Sequence, residues 1–255
     1  MRDDSTHTLA SSWQITQQGS CHVTQDEQGL HLGHPAHDAS FYHNAQISDY
    51  DTSRQFRLRP PLRLTVTASA STANLRGTAG FGFWNHPFAP EETGFDVPQA
   101  LWFFFASDES DMALAQGVAG HGWKAATINA KQWQFWSLLP TAPLAIPLMH
   151  IPPLYQALWP VGQGAIGVNE TALDPHLLTE RHTYRIDWLP KRARFYVDEL
   201  LMLDAPVNIQ HPLGFVAWLD NQYAIVSPRG RFGFGLVDVS QDQRLTLHDL
   251  SLMSL

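Results

Sequence analysis

The sequence has little cysteine, little charge and no basic cluster. One cysteine occurs among its 255 residues, and 16% of the residues are charged, against about 25% in a typical globular protein. A single cysteine excludes a disulfide scaffold within the chain. The 16 basic residues are outnumbered by 24 acidic ones, which gives a net charge of −8. Nucleic acid is therefore not an expected partner, because phosphate binding needs a cationic face.

The beginning of the chain also lacks an apolar stretch. Residues 1–7 are largely polar, unlike the start of an export signal. Together with the absence of a cysteine pair, this favours a cytoplasmic location. Cys21 is expected to be a buried small residue rather than a nucleophile, because no activating motif surrounds it.

Aromatic and aliphatic residues are abundant and occur in short alternating runs. They make up 44% of the chain and include 9 Trp and 14 Phe. Period-2 alternation between turn residues predicts strands and no long amphipathic helix. The predicted strands cover residues 13–16, 22–24, 30–32, 62–70, 77–84, 100–106, 122–129, 183–189, 192–197, 200–203, 214–219, 231–237 and 244–253. This array predicts an all-β fold of two stacked antiparallel sheets, in one domain over residues 1–255.

One segment interrupts the strand pattern. Residues 132–169 contain no Asp, Glu, Lys or Arg, and large apolar side chains are frequent among them. Six prolines divide the segment, which excludes a transmembrane helix of about 20 continuous residues. We expect an irregular, extended or short-turn insertion that packs on another apolar surface. It would serve as a lid, a homodimer contact or a membrane-surface dock.

The most specific motif is a predicted hairpin late in the chain. Residues 182–190 read His-Thr-Tyr-Arg-Ile-Asp-Trp-Leu-Pro, and residues 194–198 read Arg-Phe-Tyr-Val-Asp. This resembles the Tyr-x-Ile-x-Trp-x-Pro and Phe-Tyr-Val-Asp-Gly hairpin of the concanavalin A-like lectin/glucanase superfamily, notably glycoside hydrolase family sixteen. Residues 80–85 and 245–252 are similar to its ligand-facing and closing strands. The resemblance implies a jelly-roll β-sandwich with a ligand groove on one concave sheet.

The sequence departs from that family where its chemistry lies. In the hydrolases one strand carries Glu-x-Asp-x-Glu, and retaining hydrolysis needs two carboxyl groups about 5–5.5 Å apart. The corresponding residues 99–106 read Gln-Ala-Leu-Trp-Phe-Phe-Phe-Ala and contain no acid. We therefore assign the catalytic roles of the hydrolase family to no residue of this chain.

Side chains alternate between the two faces of a strand. On the strands that contain Trp84, Trp102, Trp123 and Trp218, this alternation predicts which side chains line the groove. We expect the candidate ligand-binding residues to be Trp84, Asn85, Trp102, Phe104, Trp123, Thr127, Asn129, Trp136, Tyr155, Trp218, Asn221 and Tyr223. Asp220, His86 and His150 are the candidates for proton transfer, because burial among aromatics raises a carboxyl pKa and histidine titrates near neutrality. Each has a plainer interpretation, as a core tryptophan, a turn cap or a loop histidine.

Four histidines near the start raise the question of a metal. His31, His34, His37 and His43 lie close in sequence, but a glycine and a proline between them argue against a helix. Tetrahedral zinc needs three or four convergent ligands, which this spacing does not provide, so no metal is expected. No cofactor is predicted either, because the chain has no phosphate-cradling glycine loop or dinucleotide fingerprint.

Several functions are compatible with these features. The leading hypothesis is that the insertion covers the concave sheet and encloses an apolar or aromatic small molecule, with acid/base chemistry as an option. A carbohydrate-binding module would instead stack sugars on Trp84, Trp123 and Trp218. A divergent glycoside hydrolase would use Asp96, Asp220 or Glu170. An assembly or interaction protein would use the insertion itself.

Overall fold

The computed structural model describes residues 13–51, 53, 55–87 and 96–255. Residues 1–7, on which the expected absence of an export signal rests, lie outside the described residues. Two seven-stranded antiparallel sheets form the body of the molecule. The all-β, two-sheet prediction is therefore confirmed.

We call the two sheets the front and back sheets. In spatial order, the front sheet contains β1 (Gln14–Gln18), β4 (Asn44–Ser48), β13 (Gly214–Asp220), β6 (Thr78–Trp84), β7 (Gln99–Ala106), β8 (Gly122–Asn129) and β9 (Asn169–Ala172). The back sheet contains β12 (Leu200–Pro206), β11 (Arg192–Val197), β10 (His182–Leu189), β5 (Leu62–Ala70), β16 (Gln243–Ser254), β3 (Gly29–His34) and β2 (His22–Asp26). A separate hairpin contains β14 (Gln222–Val226) and β15 (Phe232–Leu236).

The core lies between the sheets and is dominated by aromatic rings. Phe103, on the central front strand β7, has its ring centroid 5.0 Å from that of Tyr184 and 5.5 Å from that of Phe195, both on the back sheet. Tyr184 and Phe195 belong to the predicted hairpin, whose inward residues alternate as expected. These contacts bury the aromatic rings of both sheets in one cluster.

All thirteen predicted strands overlap a strand of the structure. Three strands were not predicted: β4, β9 and β14. β4 reads Asn-Ala-Gln-Ile-Ser and β9 reads Asn-Glu-Thr-Ala. Only Ala45 and Ile47 alternate in β4, and β9 has a single apolar residue, so these short patterns give a weak strand signal.

The insertion is helical, so the prediction of an irregular, extended segment is wrong. It contains α1 (Trp133–Leu138), a one-turn 3-10 helix (Leu139–Thr141), α2 (Ala142–Leu148) and α3 (Pro152–Ala165); a second 3-10 helix covers Pro175–Leu178. Prolines stand in the first turn of α2 and α3, where a helix needs no N–H donor. Pro160, inside α3, cannot donate to the Gln156 carbonyl, and the Gln116 side chain donates to that oxygen instead, at 3.2 Å. Among the described residues, no helix is both long enough and apolar enough to cross a bilayer.

Two adjacent phenylalanines of β7 test the assignment of its two faces. Phe103 is fully buried between the sheets, whereas Phe104 is half-buried on the outer side. We expect Phe103→Ala to lower the free energy of unfolding by about 3–5 kcal/mol, because it leaves a cavity among rigid rings. The matched Phe104→Ala should cost clearly less, and guanidinium unfolding measures both. Equal costs would show that the inner and outer faces are wrongly assigned.

Candidate functional site

Four aromatic side chains form one cluster on the outer side of the front sheet. We call Trp84, Trp102, Phe104 and Trp218 the aromatic floor. The ring centroids of Trp102 and Trp218 lie 5.5 Å apart, and those of Phe104 and Trp218 lie 5.9 Å apart. Trp84 and Trp218 are nearly parallel, with 9° between their planes. Trp84, Trp102 and Phe104 are half-buried, so parts of their rings face outward.

Strand register brings these rings together. In β6, Gly80 lies between Trp218 of β13 and Phe104 of β7, and Gly82 lies next to Trp102. A Cβ atom on Gly80 would come within 2.9 Å of Cη2 of Trp218. Glycine at these positions therefore leaves the space that the indole rings occupy.

Asp220 lies at one end of the floor, on β13. The indole Nε1 of Trp218 donates to Thr78 Oγ1 at 2.9 Å, and Thr78 Oγ1 donates to Asp220 Oδ1 at 2.8 Å. The Tyr42 hydroxyl donates to the second carboxylate oxygen at 3.3 Å. Burial raises the pKa of Asp220 to about 6, although these hydrogen bonds and one from the Gln222 backbone oppose the rise. Asp220 therefore keeps its proton to a higher pH than an exposed aspartate does.

A buried ion pair borders the other end of the floor. Lys124, on β8, pairs with Phe104 in the strand register, so its side chain is on the floor side of the sheet. Its Nζ atom lies 3.3 Å from Oε2 of Glu170 on β9, and the two side chains are only 2% and 10% exposed. Burial raises the pKa of Glu170 above its ordinary value, and the Lys124 ammonium opposes that rise. Sequence reasoning named Glu170 but missed Lys124.

These two acids cannot work as a hydrolytic pair. Asp220 and Glu170 are the only acidic residues in the seven strands of the front sheet. Three strands separate β13 from β9, so at about 4.8 Å per strand they lie roughly 19 Å apart. Retaining and inverting glycosidases need carboxyl groups within about 10 Å of each other.

The Trp84 end of the floor is fixed by polar residues. The indole of Trp84 donates to the Tyr50 hydroxyl, and the His86 ring stacks on the indole with centroids 4.7 Å apart. Asn85 points inward: its amide donates to Asp96 and to the Val97 carbonyl, each at 3.0 Å. His86 is thus placed beside the floor, whereas Asn85 ties β6 to the start of β7.

The predicted groove face of β8 is wrong. Trp123 is 1% exposed, and its ring contacts Phe103 and Tyr184 in the core between the sheets. Thr127 and Asn129 share that side of the strand: Thr127 donates to the Gly167 carbonyl. Asn129 accepts a hydrogen bond from Gln99. The outward residues of β8 are instead Lys124 and its alternate neighbours, because β7 pairs them with its own floor residues.

The remaining candidates lie away from the floor's ring cluster. Trp136 of α1 and His150, just after α2, are exposed, and Tyr155 of α3 lies under the Arg229 guanidinium. Asn221 is buried and binds the backbone of residues 41 and 43. Tyr223 packs across Gly235 within the β14–β15 hairpin. None of the five has a ring contact with the floor in the described part of the chain.

Two clefts open elsewhere on the surface. One, of about 320 Å³, is lined by polar residues that include Asn129, Asn169, Lys191 and Asn208. The other, of about 250 Å³, includes Tyr50, the hydrogen-bond partner of Trp84. Neither cleft borders Trp102 at the centre of the floor.

Three of the four early histidines are close in space. The Nε2 atoms of His34 and His37 lie 3.3 Å apart, and the His37 ring stacks on that of His43. His31 lies apart, bound to Asp26 and Thr246. Within the described ranges, no group of three or more His, Cys, Asp or Glu side chains converges well enough to hold a metal ion.

Similarity to known proteins is found in structure rather than in sequence. No protein-family model matches the chain, and no curated protein matches it. A solved structure reported for endo-acting O-glycanases of human gut microbiota aligns with a TM-score of 0.53 at 13% identity, covering 99% of this chain and 96% of that one. The β-glucanase of Bacillus licheniformis gives 0.51 at 10% identity, covering 98% and 95%.

A lectin-like domain also shares the architecture. The legume lectin-like domain from Entamoeba histolytica aligns with a TM-score of 0.50 at 8% identity, covering 96% of this chain and 90% of that one. At such identities these matches concern the fold alone. The chain therefore has the jelly-roll β-sandwich fold that these solved structures share, which is the fold that the hairpin motif predicts.

The raised pKa of Asp220 makes a testable contribution to stability. Its folded pKa of about 6 exceeds the unfolded value of about 3.9, so the folded state holds the proton more tightly. The stabilisation is complete below pH 3.9 or so and is lost as the pH rises through 6. Between about pH 4 and about pH 7.5, the free energy of unfolding of Asp220→Asn should rise by on the order of 3 kcal/mol relative to that of wild type. Urea unfolding of both proteins across this pH range measures the difference. Parallel pH profiles for the two proteins would contradict the assignment.

Proposed function

We propose that the aromatic floor binds a saccharide, with sugar rings stacking on Trp102 and on the half-buried rings of Trp84 and Phe104 beside it. The observation that carries this proposal is the floor itself, an outward aromatic surface bounded by Asp220 at one end and by Lys124 and Glu170 at the other. Sugars present apolar C–H faces and hydroxyl edges. A surface of aromatic faces with ionisable groups at its ends complements both.

The chemistry of the floor supports binding rather than glycoside hydrolysis. Strand β7 carries no acid, and Asp220 and Glu170 are too far apart to share one glycosidic bond. Each carboxyl is engaged: Asp220 with Thr78 and Tyr42, Glu170 with Lys124. In this proposal the acids hold the ends of the floor in place, and the rings between them bind the ligand.

An apolar or aromatic small molecule, covered by the insertion, is the second candidate. It is favoured by the aromatic character of the floor, which would bind such a ligand equally well by stacking. It requires the insertion to line the pocket. That requirement is poorly met, because many large side chains of the insertion are exposed to solvent, including Trp133, Leu139 and Leu144.

Replacing the central indole tests the saccharide proposal. We expect cellohexaose or laminarihexaose to bind wild-type protein, and Trp102→Ala to weaken that binding roughly three- to tenfold, because one stacking contact is lost. Trp133→Ala, at an exposed tryptophan of the insertion, is the matched control and should bind like wild type. Isothermal titration calorimetry measures the affinities, and circular dichroism confirms that each variant is folded.

The same variants separate the two candidates. If the floor is a saccharide site, farnesol, an apolar probe, should bind wild type more weakly than the hexasaccharides do. Binding of farnesol that depends on Trp102, without binding of either hexasaccharide, would overturn the proposal in favour of the apolar ligand.

A further inference from the structure

The insertion exposes large apolar side chains on each of its helices. Within α1 and within α2 the exposed apolar positions are three or four residues apart, as on one face of a helix. They include Trp133 at 72% and Leu144 at 78%, together with Trp136, Leu139 and Leu148. A helix of a globular protein normally turns such residues toward the core, so the expectation that this segment hides its apolar side chains is wrong.

Two hydroxyl groups of the insertion are satisfied within its helices. The Ser137 hydroxyl donates to the Gln134 carbonyl at 2.8 Å, and the Thr141 hydroxyl donates to the Leu138 carbonyl at 2.7 Å. Such bonds satisfy these two donors without water. Both hydroxyls can therefore enter an apolar medium at small cost in lost hydrogen bonds.

The β14–β15 hairpin extends the same surface. Phe232 and Phe234 are 76% and 72% exposed. The turn between the strands touches α2: a Cβ atom on Gly230 would meet the Ile146 side chain at 2.7 Å. Next to it, Arg229 donates to the Met149 carbonyl at 3.2 Å. We call the exposed residues of segments 132–169 and 222–236 the apolar patch.

The charge of the patch differs from that of the whole protein. Its two segments contain no Asp or Glu and carry Arg229 and Arg231, whereas the chain has a net charge of −8. Arg231 pairs with Asp111 at 2.8 Å, just outside the patch. Arg229 forms no ion pair among the described residues and lies over the Tyr155 ring. An acid-free apolar surface with arginines complements anionic headgroups.

From these features we infer that the patch docks on the surface of a bilayer that contains anionic phospholipids. The short helices lie in the interface, with Trp133 and Trp136 at headgroup level and the leucines below them. A second copy of the chain fits less well. A symmetric contact would bury the arginines of both copies against each other, with only Asp111 to pair them.

Vesicle flotation tests this inference with a matched pair of variants. The patch variant combines Leu144→Glu and Leu148→Glu and so places two charges on the patch. The β12 variant, its control, combines Leu200→Glu and Leu201→Glu at two exposed leucines of β12. Wild type should float with vesicles of phosphatidylcholine and phosphatidylglycerol. The patch variant should bind vesicles about tenfold or more weakly, because anions replace two leucines that enter the bilayer on docking. The β12 variant should bind like wild type.

Three further readouts accompany flotation. Binding should weaken with added salt and with vesicles of phosphatidylcholine alone, and tryptophan emission should shift to the blue when mixed vesicles are added. Equal loss of binding in both variants, or no flotation of wild type, would overturn the inference. A wild-type protein that sediments as a dimer, with a patch variant that sediments as a monomer, would also overturn the inference. The patch would then bind a second copy of the chain.

Discussion

Two glycines in the middle of β6 determine how the front sheet is packed on its outer side. A Cβ atom on Gly80 would lie 2.3 Å from the Phe103 carbonyl oxygen, and one on Gly82 would lie 2.3 Å from that of Leu101. Larger residues would force β6 away from β7 and fill the space over the sheet. With glycine there, Trp102 and Trp218 lie across β6 from opposite sides and meet. The central strands are thus covered by aromatic rings on both faces.

Alternation along single strands predicted most of this arrangement, and it failed where pairing between strands decides the outcome. Trp84, Trp102, Phe104 and Trp218 were all chosen from their strand positions, and the structure brings them together. The face of β8 was misassigned because Trp123 alternates with Thr127 and Asn129, and a face that mixes Trp, Thr and Asn suggested a ligand groove. Lys124 tolerates burial because Glu170 neutralises it, and that partner lies on β9, beyond the whole insertion. A local sequence pattern cannot predict a partner that lies so far away along the chain.

The insertion shows a different limit of sequence reasoning. Its proline density excluded a long helix correctly, but it did not exclude several short ones. Proline is favoured in the first turn, where Pro143, Pro152 and Pro153 stand. Pro160 is tolerated because the Gln116 side chain supplies the missing donor. That compensation comes from the loop after β7, so the helix depends on tertiary contacts and could not be read from residues 132–169 alone.

The two surfaces proposed here, the aromatic floor and the apolar patch, are joined through one carboxyl group. Asp220 ends β13 at the edge of the floor, and its Oδ1 atom accepts a hydrogen bond from the backbone N–H of Gln222, the first residue of β14. The hairpin that carries Phe232 and Phe234 is therefore held at its base by the same side chain that binds Thr78 beneath Trp218. Because this carboxyl is buried, it cannot move without losing hydrogen bonds on both sides. Its rigidity fixes the position of the hairpin relative to the floor.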